Sequence, residues 1–585
     1  MLKIKSIGRK ASYGLVLVLL TSILSACNTA GTSSRDRVSS TDSTSNQSDG
    51  YYAKMSAGYE TSYSEESLAL GRMSKPSSSS VEYESRLGFR GADYQSPGLR
   101  AVFETQQPDT AQYKNYSDNP VKQVATEPVS TFSLDMDTAS YANSRRFITQ
   151  GRMPHPDAVR VEEFINYFPS ASNEKLTSIT GSPFSAGYEL APSPWNTDKV
   201  LLRVNIKAND VNFNQLPPSN LVFLVDTSGS MYGKDRLDLL KESLKLLVNK
   251  LRPQDKVSIV AYAGSAGVVL EPTSGSNKAK ILAAIDEFEA GGSTAGGEGL
   301  QLAYKMAERG KVNGGINRIL LATDGDFNVG INSTEELKAF VSREKEKGIT
   351  LSTLGFGTNN FNDAMMVQIA DAGNGNYSYI DSLEEAQKVL QEEMSATLVT
   401  VAKDVKAQIE FNPAQVLEYR QIGYEKRQLK QEDFNNDKVD AGDIGAGKKL
   451  TVLYELTLVG GKPSIDPLRY QSKKSATATN ANNNEIAFLK LRWKAPRGQK
   501  SELASLPIEK KALTSSFAKA GVETRFMAAV AAYGQKLRNN PELSKTSYQQ
   551  IASWANNAKG EDKQGYRAEF VKLVRKAAAL EDKNN

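Results

Sequence analysis

Between about residues 216 and 398 the sequence alternates short apolar runs with amphipathic stretches, and no other feature limits the possible folds as much. Residues 221–225 form a continuous apolar run of strand length. Leu237, Leu240, Leu244, Leu247 and Leu251 then recur at three- and four-residue spacing, which places them on one face of a helix. Residues 256–261 are strand-like, 281–288 and 300–307 helical, and 318–323 a second buried strand. A helix over 335–347, a strand over 350–355 and helices over 364–370 and 383–394 complete the series. Strands without a polar face must be covered on both sides, so helices have to pack on each face of a mostly parallel sheet. The expected fold class is α/β, a doubly wound sheet whose ligand site lies at the carboxyl ends of its strands.

On either side the periodicity changes to two. Val200, Leu202, Val204 and Ile206 share one face of a strand, as do Val405, Ala407, Ile409 and Phe411, and residues 450–459 and 486–493 also read as strands. These segments predict a β-sandwich-like region, with the central domain either inserted into it or following it. A chain of 585 residues exceeds one hydrophobic core. The expected division is an N-terminal flanking domain over 126–215, the α/β domain over 216–398, a β-rich domain over 399–512 and a helical region over 513–585. In the last, Phe526, Met527, Val530 and Tyr533 form one stripe and Phe570, Leu573, Val574 and Ala577 another, both read as packing surfaces. The N-terminal flank carries strand-like residues 130–134 and helices near 140–149 and 160–167. Its Asp135-Met136-Asp137 has no third acid nearby and is expected to consist of solvated or capping carboxylates.

The first 26 residues hold Lys3, Lys5, Arg9 and Lys10 with no acid, followed by an apolar run too short to span a bilayer comfortably. That is the layout of a secretory signal. Subtracting those four charges from the net +5 leaves +1, so nothing calls for a nucleic-acid partner. Leu24-Ser25-Ala26-Cys27 resembles the lipobox of bacterial lipoproteins, which implies cleavage before Cys27, lipidation of that cysteine and a lipid anchor in the membrane. Asn28 resembles the outer-membrane sorting case of Gram-negative lipoproteins. Residues 27–125, rich in Ser, Thr, Asn, Gln and Gly, bury too little apolar surface to offset chain entropy and predict a disordered tether.

The chain has one Cys, Cys27, and one His, His155, which excludes an intrachain disulfide and a His-rich zinc site. His155 lies between two prolines and is expected to be an exposed loop residue. The chemistry concentrates instead at three predicted strand and loop ends. Asp226-Thr227-Ser228-Gly229-Ser230 ends the first central strand, Gly291-Gly292-Ser293-Thr294 precedes a helix, and Asp324-Gly325 ends a further strand. Asp226, Ser228, Ser230, Thr294 and Asp324 are all hard oxygen donors, a set that suits Mg²⁺, Mn²⁺ or Ca²⁺.

These residues, in this order, closely resemble the metal-ion-dependent adhesion site of von Willebrand factor type A domains. The resemblance implies that the hydroxyls coordinate the ion directly and the acids act largely through water. It also implies an ion left electrophilic toward an acidic side chain of a protein partner. Residues 132–168, with Asp157 to Glu163 among them, and the region after 400 resemble the flanks of a bacterial family of von Willebrand factor A lipoproteins. The implied function is a metal-dependent adhesion or scaffold module of the cell envelope, not an enzyme. Two alternatives remain: a metal-dependent hydrolase of phosphate or ester substrates using Asp235, Glu298 or Asp326, and a purely structural envelope protein.

Overall fold

The structure is a computed structural model that describes residues 111–584, apart from 136, 170–173, 213–215, 326–333, 358–360, 394–395, 397 and 467–483. The segments read as a secretory signal and tether, up to residue 110 and with Cys27 among them, lie outside the described residues.

The central sheet has six strands in the order Tyr377–Tyr379, Thr350–Gly355, Ile316–Thr323, Ser219–Asp226, Lys256–Tyr262 and Ala266–Ser274. All pairings are parallel except the last, in which Ala266–Ser274 folds back antiparallel on Lys256–Tyr262. The strand Ser219–Asp226 is buried along its whole length. Its alternate residues face opposite ways: Leu221, Phe223 and Val225 pack with helix Leu237–Lys250 and with Ala386 and Val389. Val222 and Leu224 pack with Leu300, Ala303, Leu337, Val341 and Ile369 from three further helices. The helix-spaced leucines and the continuous apolar strand are thus two halves of one burial pattern.

The two flanks build one body. Strand Val200–Ala208 pairs with Phe184–Pro192 on one side and with Lys449–Leu458 on the other, and Val416–Ile422 extends the same antiparallel sheet. In a second sheet Thr400–Phe411 lies between Val129–Ser133 and Glu485–Lys494, with Ser501–Glu509 beyond. Leu202, Val204, Ile206, Val452 and Tyr454 from the first sheet meet Ala407, Ile409, Leu489, Leu491 and Trp493 from the second in one core. The chain leaves this sandwich after Ala208 and re-enters it at Thr400, so the α/β domain is an insertion and residues 126–215 and 399–512 are not separate units. On its other face the first sheet presents Leu201, Ile422 and Leu453 to a helical layer that includes Phe526, Val530, Tyr533, Phe570 and Val574. The C-terminal stripes are therefore buried packing surfaces.

The structure differs from expectation at residues 111–125, read from composition as tether. Lys122 and Gln123 pair with Tyr419 and Glu418. Asp118 accepts hydrogen bonds from Arg538 Nε at 2.8 Å and Asn540 Nδ2 at 2.7 Å, and Asn119 Nδ2 donates to the Gly423 carbonyl at 2.7 Å. These polar contacts, together with Val124 buried in the sandwich core, hold a segment whose composition carries too few apolar residues to announce it.

Buried ion pairs fasten the inserted domain to the helical flank. Arg145, on helix Ala139–Thr149, reaches Asp381 at 2.5 Å and Glu385 at 2.7 Å. Arg160 meets Asp363 at 2.7 Å. Removing one partner of a buried pair strands the remaining charge and costs roughly 3–5 kcal/mol, against about 1 kcal/mol or less for an exposed pair. Arg145→Ala is therefore expected to lower the urea midpoint of unfolding sharply. Arg309→Ala, which breaks the exposed pair with Glu271, should leave the midpoint nearly unchanged.

Candidate metal centre

Three chain segments converge at the carboxyl edge of the central sheet. Asp226 ends its strand fully buried. Its Oδ1 accepts the Ser228 backbone N–H at 2.9 Å and its Oδ2 accepts the Thr323 hydroxyl at 2.8 Å. After Asp226 the chain makes one tight 3₁₀ turn, Gly229–Met231, with Met231 buried as its anchor. That turn brings the Ser228 and Ser230 hydroxyl oxygens to 3.0 Å from each other. Ser228 is buried and Ser230 half-buried, so only Ser230 of the two reaches solvent.

The second segment is tied to the first by backbone hydrogen bonds. Gly229 N–H donates to the Gly292 carbonyl at 3.0 Å, and Gly291 N–H donates to the Thr227 carbonyl at 2.9 Å. Gly292 has φ +82°, and a Cβ there would stand 3.3 Å from the Gly264 nitrogen, so glycine is required for this approach. Thr294, half-buried, lies on this loop just before helix Gly296–Gly310. The third segment contributes Asp324, buried immediately beyond strand Ile316–Thr323. Its Oδ2 lies 3.8 Å from Arg236 Nη1, and the same nitrogen donates to the Ser230 carbonyl.

Burial pushes the Asp226 carboxyl up to about 6, and the neighbouring Asp324 charge adds to the shift, while the hydrogen bonds from Ser228 and Thr323 oppose it. Two buried carboxylates at one edge are a combination that a bound cation relieves. Among the described residues no cluster of three or more His, Cys, Asp or Glu is arranged to hold a metal. A cation at this edge would therefore take hydroxyl as well as carboxylate oxygens, which fits a hard divalent ion.

The comparisons with known proteins follow the same division of the chain. Residues 220–393 match the von Willebrand factor type A domain, 107–203 a von Willebrand factor family, and 396–580 the C-terminal domain of the uncharacterized protein YfbK. Over 479 residues the chain is 58% identical to YfbK of Escherichia coli (strain K12), spanning 81% of this chain and 82% of that protein. The chain belongs to the YfbK family of von Willebrand factor type A proteins. A UPF0353 protein of Mycolicibacterium vanbaalenii is 32% identical over 202 residues, 30% of this chain and 60% of that protein. A solved von Willebrand factor type A structure from Catenulispora acidiphila is 16% identical, with a TM-score of 0.38 over 69% of this chain and 92% of its own.

In this YfbK-family chain Asp226, Ser228 and Ser230 are in hydrogen-bonded contact, directly or through backbone. Thr294 sits on a loop bonded to theirs, and Asp324 is linked to Ser230 through Arg236. Sequence reasoning missed Thr323, Arg236 and Tyr262. Tyr262 stands opposite Asp226 in the parallel register, and burial followed by the Asp226 charge holds its hydroxyl well above the usual range. Thr323 was visible as the residue before Asp324, but its role depends on a partner 97 positions away. Asp235 and Glu298, the acids considered for catalysis, are exposed, and Asp326 lies outside the described residues. His155 is exposed as expected.

Asp135 and Asp137 are a correction. They are neither solvated nor capping: Asp137 is buried and accepts the Tyr377 backbone N–H at 2.9 Å. Arg427 pairs with Asp135, with Asp137 at 3.2 Å and with Asp371 of the inserted domain at 2.9 Å. The missing third acid is Asp371, and the cluster is neutralised by Arg427 and Lys426.

Thr323→Val keeps the side-chain shape and removes one donor to buried Asp226. It should lower stability by about 1–2 kcal/mol, read as a shift of the denaturant midpoint. An unchanged midpoint would mean that the Thr323 bond carries no weight at this site.

Proposed function

We propose that the von Willebrand factor type A domain of this chain is a divalent-cation-dependent protein-binding module, held at the cell envelope by lipid on Cys27, and that it is not an enzyme. A von Willebrand factor type A domain suggests protein interaction or adhesion. The observation that supports metal dependence is the buried Asp226, pushed up by burial and by Asp324, beside the paired hydroxyls of buried Ser228 and half-buried Ser230. Asp226, Ser228, Ser230, Thr294 and Asp324 would hold Mg²⁺, or Mn²⁺ or Ca²⁺ in its place. The bound ion would supply a positive centre for an acidic side chain of the protein partner.

The chain's own residues prepare that contact. Thr323 and the Ser228 N–H orient the Asp226 carboxylate, Arg236 holds the Ser230 carbonyl and faces Asp324, and the Gly292 turn keeps Thr294 against the first loop. Asp235 and Glu298 are solvent-exposed, while the buried carboxylates at this edge are Asp226 and Asp324, so the described residues favour ion binding over hydrolysis. Among the described residues no helix is long and apolar enough to cross a membrane, and the proposed attachment is the lipid on Cys27. Asn28 favours the outer membrane in a Gram-negative envelope.

Loss of outer-layer support around a metal ligand commonly costs about 10- to 100-fold in affinity, so loss of a ligand costs more. Asp226→Ala should reduce Mg²⁺ or Mn²⁺ affinity by more than about a hundred-fold in calorimetric titration, with the fold retained by circular dichroism. Envelope proteins captured by the chain in Mg²⁺ should be lost both with EDTA and with Asp226→Ala. Capture that survives both changes would overturn a metal-dependent role.

A further inference from the structure

The basic residues of this chain are not spread evenly. Residues 513–585 hold 12 Lys and Arg against seven Asp and Glu, whereas residues 27–512 are net negative by four charges. The excess gathers on the last helix, Tyr566–Asn584. Its inner face, with Phe570, Val571, Leu573, Val574, Ala577 and Ala578, is buried in the helical core. Lys572, Arg575, Lys576, Ala579 and Lys583 lie on the opposite side, within an arc of about 100° at helical pitch, and all five are exposed.

None of these four basic side chains forms an ion pair among the described residues. Lys572 faces Arg575 and Lys576 at three- and four-residue spacing, where like charges weaken a helix. The acids nearby are engaged or marginal. Glu569 pairs with Arg145 at 3.3 Å and Glu581 with Lys536 at 3.2 Å, while exposed Asp582 stands at one edge of the stripe. A face kept for solubility mixes both signs, whereas a rigid face of one sign with no bulky apolar residue suits an anionic surface.

The path of the chain points to which surface. Asp118, near the start of the described residues, accepts hydrogen bonds from Arg538 and Asn540 just beyond helix Val522–Leu537. Lys536, at the end of that helix, holds Glu581. The chain arriving from Cys27 therefore joins the helical layer at the end where the basic stripe finishes.

Resting on the lipid anchor at Cys27 proposed above, we infer that the exposed face of helix Tyr566–Asn584 docks on anionic phospholipid headgroups. Lys572, Arg575, Lys576 and Lys583 meet the lipid phosphates, and the helical layer is held against the membrane instead of hanging from the anchor alone. The attraction is electrostatic, acts within about a Debye length and weakens with salt.

The whole chain carrying Cys27→Ser, which cannot be lipidated, is to be sedimented with phosphatidylglycerol and with phosphatidylcholine vesicles. Binding common to both reports the apolar run before residue 27, and the excess on phosphatidylglycerol reports the stripe. That excess should be about ten-fold or more in affinity and should vanish at about 0.5 M salt. Combining Lys572→Glu, Arg575→Glu and Lys576→Glu should abolish it with circular dichroism unchanged. Combining Lys250→Glu, Lys280→Glu and Lys305→Glu, exposed on the inserted domain, alters net charge equally and should leave most of it. Equal binding to the two vesicles, or an excess that both triple variants remove alike, would overturn the docking and leave the Cys27 anchor standing. Stripe-dependent capture of an acidic envelope protein, with no excess on phosphatidylglycerol, would overturn it in favour of a protein partner. An unmodified Cys27 in the wild-type chain, read by mass spectrometry, would overturn the anchor and the docking that rests on it.

Discussion

The pairing of strand Val200–Ala208 with Lys449–Leu458 is the constraint on which the rest of the structure depends. Those strands lie about 240 residues apart in the chain, yet they are hydrogen-bonded neighbours over eight pairs, from Val200↔Leu456 to Lys207↔Lys449. Closing so long a loop costs entropy that grows only slowly with length. The inserted domain lowers that cost further if it folds first, because its two ends then arrive at the sandwich already positioned. The sandwich core of Leu202, Val204, Val452, Leu489 and Trp493 can form only after this closure. The helical layer depends on it in turn, because it packs on the opposite face of the same sheet.

The buried ion pairs act at a different level. Arg145, Arg160 and Arg427 each reach from a flank to an acid of the inserted domain: Asp381, Asp363 and Asp371. Buried charges add little net stability compared with a well-packed apolar contact, but they tolerate few alternative partners. They hold the inserted domain in one orientation on the sandwich. The central sheet shares part of this framework, since Asp371 and Asp381 flank its edge strand Tyr377–Tyr379.

Much of this was legible in the chain because its burial pattern is local. The leucines of helix Leu237–Lys250 and the alternation in Thr400–Phe411 report their own element without reference to distant residues. That Asp226, Ser228, Ser230 and Asp324 meet at one sheet edge was legible because each follows the end of a locally patterned strand. What escaped is non-local or polar. Strand Ala266–Ser274 carries Val268 and Val269 side by side at a break in the ladder register, and Pro272 near its end, so neither periodicity shows in it. Asp137 reads as an exposed acid until Tyr377 and Arg427 arrive from 240 and 290 residues away. Residues 111–125 have the composition of a tether and are held by hydrogen bonds to Arg538 and Gln421 and by the single buried Val124.

The insertion also fixes how mechanical load would travel through the molecule. The central domain is joined to the sandwich through Val200–Ala208 on one side and Thr400–Phe411 on the other, one strand in each sheet, and each is flanked by hydrogen-bonded neighbours on both sides. Tension drawn on the domain therefore reaches the flanks through the buried ion pairs of Arg145, Arg160 and Arg427 and, along the chain itself, through two interior strands. Neither can be peeled from an edge one bond at a time, and rupture along them would have to shear many hydrogen bonds together.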